Sequence, residues 1–439
     1  MQILNRIKWF LRLPADPSID SRVRGNFRQN FIVNMLDNAF WLFGESFVSV
    51  HTILPVFAST LTDSPIIIGL VPALIHAGWL MPQLLMASHV SRLPQKMPFA
   101  RTMAKIERIP YLALPLFAYL LNWIPKQIAI IIFIILVAWR GIAGGMVALP
   151  WQEVIATIIP SQVRSRFFGV SRTLGRLMAI IGSGFAGLIL ASRPYPNNFA
   201  LSFLLGAFLI WISYWFFSQS IEPVTDNEEK MISRQEDKVN ILDMNAFKSV
   251  LKHDHKFTKY LISRIAFQFG GMAMGFLAVY GIHQFSLGDE QAAVFSGLLF
   301  ASGTLGFFIW GLFGDKLGPG YILVISDLLQ VISLLIGFLA INVWFIYGLF
   351  FLIGFAQSGH IVGDLVYAMS LGGENQRPLY IGMARSIPGI FTLLAPILGG
   401  LLVNVIGFRS MFLVATAFTL ASGIIILSVQ LQNKNMLTI

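Results

Sequence analysis

The side chains best suited to chemistry in this chain are charged and polar groups set inside long apolar stretches. At about 100° per residue, Asn30, Asn34, Asp37, Asn38, Trp41, Glu45, Ser49 and Thr52 fall within a sector of about 120° on one helix. Such a stripe must face protein or water. An ionised group in mid-membrane costs about 2.5–3.5 kcal/mol on insertion scales, so each one needs a reason. Asp37 and Glu45, eight residues apart on the stripe, suit proton uptake and release. Arg140 shares a face with Gly144 and Trp151, and its guanidinium can pair with Asp37 or Glu45 or bind an anionic group of a substrate. Farther along, Arg264, Gln268, Gly271 and Gly275 align on one face. Gln357, His360, Asp364 and Tyr367 do the same within about 80°, where a histidine one turn from a carboxylate can relay protons. Interhelical hydrogen bonding would account for part of the first stripe, and a permanent ion pair for Arg140. Two carboxylates on one face weigh toward a functional path. His76, Trp79 and Gln83 add a wall for which core packing is the plainer role. Arg172, Arg176 and Arg385 are expected near the cytoplasmic surface, where snorkelling accounts for them.

The elements that position these groups are expected to be membrane helices. Hydrophobic residues make up 56% of the 439 and charged residues 12%, against roughly 45–50% and about 25% in ordinary globular chains. Twelve stretches reach the about 20 apolar residues that a spanning helix needs: 31–57, 65–88, 102–122, 128–157, 168–191, 200–218, 259–283, 292–313, 321–341, 343–369, 379–403 and 409–429. They are continuous rather than alternating, which excludes barrel strands. The fold class is therefore an all-α membrane protein of twelve transmembrane helices in two six-helix bundles. Residues 1–218 form the N-terminal bundle, 219–257 a cytoplasmic linker and 258–439 the C-terminal bundle. Within the linker, Ile241 to Phe257 has apolar residues at helical spacing among lysines, so an interfacial helix and a solvated linker both fit.

The net charge of +10 sits in short connections instead of on a soluble face, so it reads as topology and not as nucleic-acid binding. Arg6, Lys8, Arg12, Arg22, Arg24 and Arg28, with Arg92, Lys96, Arg101, Lys105 and Arg108, oppose hairpins that hold only Lys126, Arg193 and Arg409. Both termini are expected in the cytoplasm, in the cell membrane, and the N-terminus lacks the apolar core of a signal peptide. With no cysteine, and no HExxH, P-loop or G-x-S-x-G motif, neither an enzyme nor a metal or organic cofactor is implied. A lone monomer in the bilayer, acting on a small molecule with the proton as coupling ion, is the expectation.

The two halves repeat. Arg164, Gly169 and Arg172 are spaced as are Arg377, Gly382 and Arg385, at corresponding loops. Residues 311–318 read GLFGDKLG, and 87–94 read ASHVSRLP. On these motifs the chain resembles the major facilitator superfamily, whose signature is G-x-x-x-D-[RK]-x-G. The second half carries it clearly, whereas Ser91 takes the acidic position in the first, with Arg92 and Lys96 kept basic. RGIAGGM from Arg140 is similar to the family's R-x-x-x-G pattern. APILGG at 395–400 looks like its antiporter pattern, but in the eleventh stretch instead of the fifth, so antiport is not implied.

The resemblance implies that the first, fourth, seventh and tenth helices line a central cavity. Those are the helices that carry Asp37, Asn38, Trp41, Glu45, Arg140, Arg264, Gln268, Gln357, His360 and Asp364, which are expected to form the substrate and proton pathway. It further implies a conformational role for Arg92, Gly311, Asp315, Lys316 and Gly318, with Asp315 stabilising an outward-facing state from a helix N-terminus. A proton-coupled secondary transporter working by alternating access is the leading expectation. A transporter of lipid-linked substrates, suggested by 38 phenylalanines, and a membrane enzyme or sensor are the alternatives.

Overall fold

The computed structural model describes residues 13, 19–91, 93–223, 244–370 and 377–436, and among these there are helices and no strands. In chain order the helices are α1 (Ser21–Glu45), α2 (Ile53–Leu61), α3 (Pro65–Ser91), α4 (Met97–Tyr119), α5 (Lys126–Ile158), α6 (Ser161–Ser192) and α7 (Asn197–Ser218). They continue with α8 (Met244–His253), α9 (His255–Gly270), α10 (Leu277–Gln284), α11 (Gln291–Leu317), α12 (Pro319–Phe338), α13 (Val343–Ser370) and α14 (Arg377–Met436).

The twelve expected stretches are all helical, with three differences. The first is broken between α1 and α2, and the seventh between α9 and α10, where Gly271–Ala273 makes a 3₁₀ turn. Backbone groups freed at membrane depth survive only inside protein or along a cavity, so both breaks belong on inner faces. The eleventh and twelfth form the two arms of α14, which meet at Gly407 with φ 79°, a left-handed conformation that disfavours any side chain.

Nine described helical stretches are long and apolar enough to cross a membrane by themselves. The stretch over Met383–Leu431 contains both arms of α14. The long helices that fall short are α1 and α4, which carry Asp37, Glu45, Glu107 and Arg108. Their polarity is buried, as the next subsection describes, so the crossing is made possible by neighbours rather than by composition.

The chain divides into two compact units, one of 1–48 with 78–238 and one of 49–77 with 239–439. In the first unit α1 packs on α6 and α7, and α4 on α5 and α7. A cluster of Phe27, Phe31, Ile155, Ile158, Phe167 and Phe217 fills its core. In the second, α9 packs on α14, α12 on α13 and α14, and α11 on α13, while α2 lies against α10 and α11. There the hydroxyls of Thr52 and Ser296 share a hydrogen bond. Part of the 241–257 segment is the helix α8, and Val250 on it joins the core of Phe257, Tyr260 and Leu261. Asp254 then caps α9 through the Phe257 amide at 2.9 Å and accepts the Tyr380 hydroxyl at 2.9 Å.

Candidate functional site

Each unit holds a buried polar cluster. In the first, Glu45 at the last turn of α1 meets Arg140 of α5 in a two-pronged pair, Nη2 lying 2.7 and 2.5 Å from its two oxygens. The Tyr111 hydroxyl of α4 donates to the same carboxylate at 2.5 Å. Arg140 also donates from Nη1 to the Val48 carbonyl at 3.1 Å, one of the backbone groups freed where α1 ends. Its guanidinium lies 4.8 Å from the Tyr111 ring centroid. Of the two carboxylates open to Arg140 from sequence, Glu45 is therefore the one it takes.

Asp37 belongs to a different arginine. Arg108 of α4 approaches it at 3.9 Å, and Ser213 of α7 lies between them, accepting from Arg108 Nη2 at 3.2 Å and donating to Asp37 at 2.6 Å. Arg108 fills its other donors with the carbonyls of Ile210 at 3.1 Å and Ala104 at 3.0 Å and with Glu107 at 3.3 Å. Its guanidinium lies 4.9 Å from the Trp41 ring and 5.3 Å from that of Tyr214. Trp41 also packs edge-on to Tyr111 with centroids 5.8 Å apart.

In the second unit Arg264 of α9 is the hub. It donates to His360 Nδ1 at 3.2 Å, to the Ser263 and Ser422 hydroxyls at 3.1 and 3.2 Å, and to Asp327 of α12 at 3.5 Å. Ser422 of α14 donates to Asp327 at 2.9 Å. His360 Nε2 stands 3.1 Å from the other Asp327 oxygen. Asp364 lies 3.9 Å from Arg264 and accepts the Tyr260 hydroxyl at 2.7 Å. His360 therefore faces Asp327 and Arg264, not the carboxylate one turn along its own helix.

The remaining expected residues divide. Asn38 is half-buried, with an Oδ1 that has no described hydrogen bond, and Gln357 reaches the Met274 sulfur at 3.9 Å, where the chain is unwound between α9 and α10. Gln268 is half-buried on α9 and makes none of these bonds. Arg92 lies outside the described residues. The 311–318 motif closes α11, and Gly318 with φ 78° turns the chain into α12. The side chains of Asp315 and Lys316 and the surroundings of Gly311 lie outside what is described.

The N-terminal end of the α1 stripe does structural work. Asn34 donates to Ser220 Oγ at 2.9 Å. Asn30 pairs with the backbone of Ile221 in both directions, at 2.9 and 2.8 Å. Glu222 accepts the amides of Lys96 and Met97 at 2.8 and 2.7 Å, which caps α4. Glu107, Arg108 and Asp327, which the sequence places on helices away from the cavity, are the residues missed. All three are at most 8% exposed and sit inside the clusters.

Residues 260–434 match the sequence model of the Major Facilitator Superfamily. No curated protein sequence matches the chain. Among solved structures, it resembles a mutant of the nucleoside transporter NupG with a TM-score of 0.73 at 12% identity, over 91% of this chain and 100% of that one. It resembles a D-xylose-proton symporter with a TM-score of 0.68 at 13% identity, over 91% and 96%. The xylose transporter XylE from E. coli, in a partially occluded inward-open conformation, gives 0.65 at 12%, over 91% and 97%. The fold of this multi-pass membrane protein and the sequence of its second half are those of the major facilitator superfamily.

Proposed function

We propose that this secondary transporter couples the movement of a small molecule to protons, with Glu45 and Asp364 as the proton-binding groups. The carrying observation is their exposure. Their side chains are 15% and 39% exposed, whereas those of Asp37, Glu107 and Asp327 are at most 10%. Each also faces one arginine and one tyrosine hydroxyl, Arg140 with Tyr111 and Arg264 with Tyr260. Protonating such a carboxylate cancels the charge that holds its arginine, so proton binding alters the pairing of the helix that carries it. The discontinuities after Glu45 and after Gly270 support the same location, since unwound backbone at membrane depth belongs beside a binding site. This reading keeps both termini in the cytoplasm, on the basic residues of the N-terminal segment, and a monomer in the cell membrane as the acting unit.

The test uses proteoliposomes loaded with a pH-sensitive dye and offered pentoses, nucleosides and organic acids. Solute-dependent proton entry is expected, and a one-unit gradient sustains about tenfold accumulation per proton. Glu45→Gln and Asp364→Asn are each expected to abolish gradient-driven accumulation while leaving solute exchange. Accumulation at the wild-type level in both variants would sink the assignment.

A further inference from the structure

Arg172 and Arg176 lie deep along α6 and not at the cytoplasmic surface. The helix starts at Ser161, so they stand 11 and 15 residues in, about 17 and 23 Å along its axis. Its 32 residues span about 48 Å against a hydrocarbon core of about 30 Å, which puts both guanidinium stems at hydrocarbon depth when the helix is centred. Arg176 is then about 14 Å from the nearer hydrocarbon boundary, too deep to snorkel, whereas Arg172 is about 8 Å from it, so for Arg172 the side of the helix decides.

They also point the wrong way for lipid. Ala179, Ser183, Ala186 and Leu190 form the buried side of α6, and by helical spacing Arg172 lies on that same side. Leu177, Ile181 and Leu188 are exposed on the opposite side, which is the lipid face. Arg172 is nonetheless exposed and Arg176 half-buried, so the inner face of α6 opens to water-accessible space at this level. Between them, Gly175 presses on α1, where an added Cβ would come within 3.1 Å of the Asn38 carbonyl and side-chain oxygens. The arginines therefore stand beside the polar stripe of α1 and its unsatisfied Asn38 Oδ1. Arg108, Arg140 and Arg264 each have carboxylates against them, whereas Arg172 has no ion-pair or hydrogen-bond partner among the described residues.

We propose that Arg172, reinforced by the positive charge of Arg176 one turn deeper, binds the anionic group of the transported solute, a carboxylate, phosphate or sulfonate. An exposed guanidinium on an inner face offers paired N–H donors that match such an oxyanion. The inference rests on the transporter reading but not on proton coupling.

The chain has no cysteine, so one introduced thiol is unique. Gly169 lies on the same side of α6, one turn toward the cytoplasm, and an added Cβ there meets nothing within 4 Å. Gly169→Cys therefore keeps both arginines and leaves the packing alone. Its reaction with an anionic reagent, 2-sulfonatoethyl methanethiosulfonate, is compared with a cationic one, 2-trimethylammonioethyl methanethiosulfonate, each rate normalised to that with mercaptoethanol. The anionic reagent is expected to be favoured by about tenfold or more. Adding Arg172→Gln should remove most of that preference, and inorganic phosphate should slow anionic labelling. Equal normalised rates, or a preference that survives Arg172→Gln, overturns the proposal. So does slowing that appears only in nanodiscs of phosphatidylglycerol, which would give the site to a lipid headgroup. Labelling needs no ion gradient, so failure here and failure of Glu45 or Asp364 to carry protons are read separately.

Discussion

The two units solve one problem with opposite signs. In the first, Asp37 stands on α1, Arg108 on α4 and the bridging Ser213 on α7. In the second, Arg264 stands on α9, Asp327 on α12 and the bridging Ser422 on α14. These are the first, third and sixth helices of each six-helix repeat, so the triads correspond while acid and base have traded helices. In both, a serine accepts from the arginine and donates to the aspartate. The common requirement is an acid and a base joined through a serine, which ties the first helix of each repeat to the third and the sixth, because a lone charge at that depth is expensive. Which helix carries which sign is secondary. The triads differ in reserve. Each arginine serves two carboxylates, Arg108 both Asp37 and Glu107 and Arg264 both Asp327 and Asp364, but Asp364 is half-buried and Asp327 has His360 beside it as well.

The largest expected effect comes from removing the arginine. Arg108→Leu leaves buried Asp37 without its cation and Glu107 with Arg140 alone, and should cost about 3–5 kcal/mol, enough to lower the yield of folded protein sharply. Arg264→Leu leaves His360 next to Asp327, and leaves Asp364 half-buried with the Tyr260 hydroxyl still on it, so its loss should be smaller. Thermal unfolding in detergent, followed by size-exclusion recovery, measures both. An Arg264→Leu loss equal to or larger than that of Arg108→Leu would break the claim of reserve.

A smaller effect tests whether polarity is interchangeable. Exchanging the signs by Asp37→Arg with Arg108→Asp keeps one arginine against two carboxylates and gives the first unit the second unit's order. The double variant should be more stable than the sum of the single losses by about 0.5–3 kcal/mol, read as a coupling energy from a thermal-stability cycle. A coupling near zero would mean that the serine geometry accepts one polarity only.

The legibility of the site follows the same division. Asp37, Glu45 and Arg140 stood out because each interrupts a long apolar run, and a stripe on α1 shows in helical spacing alone. Arg108 and Asp327 were hidden by depth. The hydropathy reading begins the third helix at 102, which sets Arg108 near its cytoplasmic end, but α4 begins at Met97, about 17 Å before Arg108 along the axis. Asp327 similarly lies about 12 Å into α12. Hydropathy windows penalise charged ends and start the helix late, so they push charges outward. The pairing of Arg140 with Glu45 instead of Asp37 was open from sequence because helical spacing fixes a face, not a neighbour. The sign exchange was invisible too, since matching the halves by identity sets Asp37 against Arg264 and scores it as a mismatch. The breaks after Glu45 and Gly270 carry no proline, and Gly270, Gly271 and Gly275 at the second are a weaker signal, since a helix tolerates a glycine at about 1 kcal/mol.

The bridging serines offer the finest comparison. Ser213→Ala strips Asp37 of its 2.6 Å donor and leaves it Arg108 at 3.9 Å and the indole of Trp151. Ser422→Ala leaves Asp327 with Arg264 at 3.5 Å and His360 at 3.1 Å, while Ser263 still accepts from Arg264 at 3.1 Å. An unsatisfied buried polar group costs about 1–3 kcal/mol, so Ser213→Ala should fall in that range and Ser422→Ala below it. Ser213→Thr, which keeps the hydroxyl, should recover most of the loss if the methyl is accommodated. Paired thermal-shift measurements of the two alanine variants decide the matter: equal losses would show that the second unit's extra partners add nothing. A larger loss in the first unit would mean that an acid on the first helix of a repeat depends more on its serine than an arginine there does.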